Sequence, residues 1–275
     1  MSVQENTEKH FLGNVVARNV DQGPLVYDLF EEKHHLLESL TKRQVELIVP
    51  SRPSRILVVG CGTGISAMTI SNMLSSSDRQ TRIFAVDVSE QMLNRAKERY
   101  RNIPGLFFIR GDADNLESFF HEGFDGIFYT PSIFHIPNFR ESVRQASGLL
   151  VPEGVISICG FAGLFGENGE DPVQKAFPDF RHNAGAVPFQ EAESFFESMP
   201  EFRTTWVDFR MEAAEEFVFD YLSIPSQSST LFPKLPYLDR IPKIREICAT
   251  LEGKAGPVFM GWKFCMARKG RRLAS

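Results

Sequence analysis

Cysteine is scarce in this chain and does not cluster: Cys61, Cys159, Cys248 and Cys265 stand far apart, with no C-x-x-C pair and no histidine at zinc-binding spacing. That argues against a zinc site and a disulfide framework, and it sets the expectation of a reduced, cytoplasmic protein without a metal. Long apolar runs are missing too. No stretch reaches the roughly 18 uninterrupted apolar residues of a membrane-spanning helix. Residues 1–22 lack the apolar middle of a secretion signal, so neither membrane insertion nor export is expected. Nor is positive charge in excess. The 30 Lys and Arg stand against 35 Asp and Glu, a formal net charge of -5, which speaks against a surface that collects phosphate backbones or anionic lipid. The one basic run, Arg268 to Arg272, closes the chain and reads as a solvated tail. A small neutral or cationic partner fits this balance better than nucleic acid. With 43% apolar and 24% charged residues, the 275-residue chain has ordinary globular texture and length enough to bury a large core.

The order of apolar segments gives the fold class. Residues 25–49 carry apolar positions at helical spacing until Pro50 and Pro53 break the run, and Arg55 to Val59 then reads as a short, β-branched, buried strand. Alternation follows: helix Ile65 to Leu74, strand Arg82 to Val86, helix Ser89 to Arg101, strand Leu106 to Ile109, short helix Asn115 to Phe120, strand Phe124 to Tyr129, helix Phe139 to Leu150 and strand Gly154 to Cys159. Continuous apolar strands separated by amphipathic helices indicate a parallel sheet covered on both faces, a doubly wound α/β core. Beyond Gly160 the regularity lapses. Eight phenylalanines lie between Phe161 and Phe202, and the segment reads as a lid. Phe202 to Met211 then alternates like a strand, Glu212 to Leu222 like a helix and Val258 to Ala267 like a last strand, with small helices expected between residues 223 and 256. The expectation is one domain over residues 1–275, with a core over 25–160 and two insertions, 161–200 and 223–256, both covering one pocket.

The strongest local signal is Ile56 to Val59 running straight into Gly60-Cys61-Gly62-Thr63-Gly64. Three glycines at alternate positions between a buried strand and a helix suit a backbone that comes close to a ligand or takes positive φ. Asp87 follows at the end of the second strand, where a parallel neighbour delivers it beside the glycine turn. Its carboxylate can accept two ribose hydroxyls, while Ser89 is available to cap the next helix. Gly111-Asp112-Ala113 ends the third strand at the same rim, and Asp112 is placed to receive an adenine amino group or to make an ordinary turn.

Taken together, residues 55–160 resemble the class I S-adenosylmethionine-dependent methyltransferases, in their small-molecule branch. The G-C-G-T-G turn resembles that family's first motif, Asp87 its ribose acid and Gly111 to Ala113 its adenine motif. Phe124 to Tyr129 resembles the fourth strand, and Gly148 to Gly154 the turn before the fifth. The resemblance implies a Rossmann-like sheet of seven strands in the order 3-2-1-4-5-7-6, the last antiparallel. It implies S-adenosyl-L-methionine as cofactor and S-adenosyl-L-homocysteine as product, held by Gly60, Cys61, Gly62, Gly64, Asp87, Val88, Met92, Asp112, Ala113 and Tyr129, with Tyr27 folding over from the N-terminal helix. The chain departs from the family at Val58, where many members carry an acid, leaving backbone carbonyls near Gly60 or Tyr129 for the methionine amino group.

The activity implied is methyl transfer to a small-molecule substrate by in-line displacement, a reaction that needs alignment above all. Ser132 and Phe134, with Trp206 and Tyr221, are the candidate substrate contacts, and His135 is the candidate base if the acceptor must lose a proton. His34 and His35 read as packing or solvent-facing residues. Two other readings share the glycine turn. A nicotinamide dehydrogenase is disfavoured because position 65 is Ile, so G-x-G-x-x-G is absent. A non-catalytic S-adenosylmethionine-binding module predicts binding without turnover.

Overall fold

The computed structural model describes residues 23–48, 53–74, 81–121, 123–171, 186–251 and 257–270. Helices α1 (Pro24–His34) and α2 (Leu36–Ile48) precede strand β1 (Arg55–Val59). After it come α3 (Ile65–Leu74), β2 (Arg82–Asp87), α4 (Glu90–Arg99), β3 (Leu106–Arg110), a 3-10 turn (Ala113–Ser118) and β4 (Phe124–Tyr129). A second 3-10 turn (Ile133–His135), α5 (Phe139–Leu149) and β5 (Leu150–Phe165) complete the alternating part. The remainder is α6 (Ala186–Glu197), β6 (Phe202–Glu212), α7 (Glu215–Ser223), α8 (Pro225–Leu231), α9 (Tyr237–Leu251) and β7 (Phe259–Lys269). The seven strands form one sheet in the order β3-β2-β1-β4-β5-β7-β6. β1 to β5 run parallel, and β7 is antiparallel to both β5 and β6, which is the topology expected.

Strand alternation divides the core into two layers. Ile56 and Val58 join α1, α2, α3 and α7 on one face through Phe30, Leu40, Ile70 and Phe217. Leu57 and Val59 face the other way, onto Leu116, Val143, Ala146 and Phe196. β1 is therefore buried on both sides, the reason its sequence is apolar without a polar phase.

Three departures from the sequence reading have physical causes. The run 25–48 is two helices: His35 takes a left-handed φ of 51°, and the Glu31 carboxylate accepts the amides of Leu37 (2.8 Å) and Glu38 (2.7 Å), capping α2 from inside α1. Apolar periodicity runs across such a joint unchanged. β5 does not stop at Cys159 but continues to Phe165, because β7 supplies antiparallel partners as far as Phe165 opposite Phe259, with a register shift between Phe161 and Gly163. The first insertion is therefore no simple lid. Its residues 161–165 finish a strand, and α6 places Ala192 and Phe196 in the core layer behind the sheet. Residues 172–185 of that insertion, like Pro50 and residues 252–256, lie outside the described residues. The Arg268–Arg272 run is described only to residue 270, with Arg268 donating to the Glu153 carbonyl at 3.0 Å and Lys269 to that of Ser147 at 2.8 Å. Among the described residues no helix is long and apolar enough to cross a membrane, and the four cysteines are free and buried.

Candidate functional site

The carboxyl ends of β1, β2, β3 and β4 open into a cavity of about 350 Å³, the position that open α/β sheets reserve for ligands. Its floor is the glycine turn. The amides of Gly60 and Cys61 both donate to the Val86 carbonyl, at 2.8 and 3.0 Å, which ties the turn to the end of β2. Gly62 has φ of 54°, and a Cβ built there meets nothing within 4 Å, so the backbone is bare toward the cavity. At Gly60 (φ of 68°) a Cβ would come within 2.4 Å of the Ser132 Cβ. The need for glycine there comes from the protein's own β4 loop, not from close approach of a ligand.

Asp87 closes the turn from the side. One carboxylate oxygen accepts the Gly62 amide at 2.8 Å and the other the Ser89 amide at 2.9 Å, while Ser89 itself caps α4 by accepting from the Met92 amide at 3.2 Å. These two backbone amides orient the Asp87 carboxylate at the cavity. The next residue, Val88, lines the cavity together with Met92 and is 53% exposed, an apolar surface left open at the rim. Asp112 lies at that rim with Ala113. It is exposed, and its carboxylate accepts the Asp114 amide at 3.0 Å, so turn chemistry occupies one of its oxygens.

On the other side of β1, the loop after β4 supplies the wall. The Thr130 hydroxyl donates to the Gln44 carbonyl oxygen, and the Gln44 amide nitrogen donates to the Ser157 hydroxyl at 2.8 Å, a buried chain that anchors the loop to α2 and β5. The Ser132 hydroxyl donates to the Val59 carbonyl at 2.5 Å, so this serine lines the cavity but spends its proton on the scaffold. His135 lines the cavity from the second 3-10 turn. Its Nδ1 is buried without a partner, and burial alone pushes its pKa down to about 4, leaving the ring neutral near pH 7. An unfolded chain takes up that proton near pH 6.5 and the folded chain resists until about pH 4, so within this window the unfolded state binds more protons and stability falls as pH falls. His135→Phe is accordingly expected to flatten the melting temperature against pH between about pH 6.5 and about pH 4, as read by thermal unfolding. An unaltered slope would assign the loss to other groups.

The roof is α1 with the α7–α8 corner. Tyr27 and Phe30 reach the cavity from α1, and Tyr221, Ile224 and Gln227 from α7 and α8. The Tyr27 and Ser226 hydroxyls hydrogen-bond, and burial pushes the Tyr27 phenol up to about 12. Buried Asp28 accepts from Arg95 Nε at 2.6 Å and from Arg99, pinning α1 to α4. His34 Nε2 lies 2.8 Å from Asp220 with its ring against Phe30 and Phe217, a packing role, and His35 is exposed.

The structure thus brings Tyr27, Gly60, Cys61, Gly62, Asp87, Val88, Met92, Asp112, Ala113, Ser132, His135 and Tyr221 around one cavity. It does not bring Tyr129 there. β4 alternation turns that ring to the other sheet face, where it is wholly buried and its hydroxyl meets the Ser142 hydroxyl at 2.9 Å. Trp206 is also elsewhere: it sits on β6, the outermost strand, under Lys263 Nζ at 5.2 Å. Gly64 lies just before α3, where its Cβ would strike Phe108. The Phe134 side chain lies outside the described residues. Among the described residues, none between 161 and 200 lines the cavity, whereas Ile224 and Gln227 of the second insertion do. The sequence reading missed Phe30, Thr130, Gln227 and Gln44, residues that look like ordinary helix or loop positions and gain their place only from the fold. Among the described residues no group of three or more His, Cys, Asp or Glu could hold a metal ion.

Residues 56–154 match the model of a methyltransferase domain family. An uncharacterized methyltransferase of Mycobacterium tuberculosis is 27% identical over 125 residues, covering 46% of this chain and 59% of that protein. The ubiquinone/menaquinone biosynthesis C-methyltransferase UbiE of Rickettsia typhi is 26% identical over 152 residues, covering 54% of this chain and 60% of its own. The chain thus spans about 60% of the length of these curated relatives. Among solved structures, an N-methyltransferase of Haemonchus contortus, in complex with phosphomonomethylethanolamine and S-adenosylhomocysteine, has a TM-score of 0.58 at 17% identity, covering 91% of this chain and 58% of that one.

Proposed function

We propose that this chain, a class I S-adenosylmethionine-dependent methyltransferase by its domain match and its strand order, moves a methyl group from S-adenosylmethionine to a small-molecule acceptor. The observation that carries the reading is the Asp87 carboxylate, set by the Gly62 and Ser89 amides beside bare glycine backbone at the carboxyl end of the sheet. When bound, S-adenosylmethionine supplies a methyl group on a cationic sulfur, to be taken by an acceptor electron pair while sulfur keeps the electrons of the broken bond.

The chain's own residues would divide the work as follows. Asp87 takes the ribose hydroxyls, Val88 and Met92 offer apolar surface to adenine, and Asp112 with Ala113 edges that base. With Val58 buried in the core, no side chain two positions before Gly60 reaches the methionine end, which falls to backbone at the glycine turn and the β4 loop. His135 and Tyr221 face the acceptor. Tyr27 and Phe30 shut water out from above. Because methyl transfer asks chiefly for alignment, rigid tethers such as Gln44 to Thr130 and Ser132 to Val59 are the catalytic contribution of the scaffold.

Calorimetry of the purified chain is expected to show S-adenosylhomocysteine binding and no NAD(H) binding, and labelled donor with a metabolite extract is expected to give a labelled small molecule. Binding of NAD(H) alone would overturn the reading, and donor binding with no label transferred would favour a non-catalytic binding module.

A further inference from the structure

We infer that the acceptor held beside His135 and Tyr221 is an uncharged, largely apolar small molecule, an inference that rests on the methyltransferase reading. The sheet order sorts the cavity by charge. β2 and β3 lie to one side of the glycine turn and β4 to the other. The carboxylates that line the cavity, Asp87, Asp112 and Asp114, all come from the ends of β2 and β3. The rest of the lining comes from the loop after β4 and from the roof, which α1, the start of α2 and the α7–α8 corner make. There the described lining residues include Phe30, Leu37, Pro131, Ile136, Tyr221 and Ile224, and no Lys, Arg, Asp or Glu.

What can ionise in that part is held neutral. His135 is its imidazole, with a pKa pushed down to about 4 by burial, and Tyr27 and Tyr221 are its phenols, both pushed up by burial, Tyr27 also by the charge of Asp87. Cys61, at the boundary, is raised well above the ordinary thiol by burial and by Asp87. A phosphate or carboxylate entering here meets no cation among the described residues, and the lining carboxylates an ammonium could pair with stand at the ends of β2 and β3. Away from those ends, either would lose its water without a partner, the situation in which burial of charge is most costly. A neutral molecule loses far less, and Asn138 and His135 line this part of the cavity to hydrogen-bond one or two polar atoms on it.

The test uses the full chain saturated with S-adenosylhomocysteine, whose sulfur is uncharged, so that selectivity reflects the protein alone. Three ring-matched probes are compared by calorimetry and saturation-transfer NMR: 2-naphthylmethanol, 2-naphthoate and 2-naphthylmethylammonium. The alcohol is expected to bind at least about tenfold more tightly than either ion. Equal or tighter binding of an ion, or no binding of the alcohol to the saturated chain, overturns the inference while leaving the methyltransferase reading in place. Failure of S-adenosylhomocysteine itself to bind is the separate result that removes that reading.

Discussion

Asp87→Ala is expected to weaken S-adenosylhomocysteine binding by about a hundredfold or more while the chain still folds. Two hydrogen bonds from ribose to a carboxylate are at stake, each worth about 1.5–3 kcal/mol, and tenfold in affinity corresponds to about 1.4 kcal/mol. The structure adds a second consequence. Asp87 also accepts the amides of Gly62 and Ser89, so the substitution removes one of the ties between the glycine turn and β2, the Val86 carbonyl keeping the others, and leaves two amides to seek water. A modest fall in melting temperature should therefore accompany the affinity loss. Asp87→Asn separates charge from shape. The Asn oxygen can serve only one of the two amides, and its NH2 then confronts the other, so Asn is expected to be no more stable than Ala. Both variants should lose donor affinity alike in calorimetry. Wild-type affinity in a folded Asp87→Ala variant would show that the carboxylate serves the turn alone and holds no ribose.

The glycine turn and Asp87 could be read from sequence because their constraint is local: a buried strand must end, the chain must turn, and a parallel neighbour must deliver its last residue alongside. The alternation of apolar strands and amphipathic helices is legible in the same local way, while the order of the strands in the sheet followed only from the family resemblance. What escaped was whatever depends on distant partners. β5 runs on to Phe165 only because β7 lies beside it. The Phe-rich stretch suggested a lid, yet Phe196 fills the layer behind the sheet, and composition alone cannot distinguish a pocket wall from a core. Tyr129 was misplaced by one step of strand alternation: the backbone at the end of β4 points at the cavity, but the ring goes to Ser142. Gln44 carried no signal, since a polar residue on an amphipathic helix normally faces water; here it is wholly buried between Thr130 and Ser157.

The close fit of the turn against the β4 loop makes Gly60 the glycine of the site where an added methyl group meets its nearest neighbour at the shortest distance. The new Cβ would stand 2.4 Å from the Ser132 Cβ, far inside contact distance, and φ of 68° is unfavourable for alanine in any surroundings. Strain and clash together are expected to cost about 3 kcal/mol or more and to shift the backbone that carries Gly62, so stability and donor affinity should fall together. Adding Ser132→Gly separates the two causes. Without that side chain the nearest neighbour of the new methyl group is the Ser132 Cα at 3.8 Å, an ordinary contact. The double variant should then recover the clash but not the φ strain, nor the hydrogen bond that Ser132 gave to Val59. In a double-mutant cycle on thermal stability this appears as a favourable coupling of at least about 1 kcal/mol. Additive losses would mean that β4 and the glycine turn can move apart freely, and that the alignment of the two halves of the cavity is not fixed at this contact.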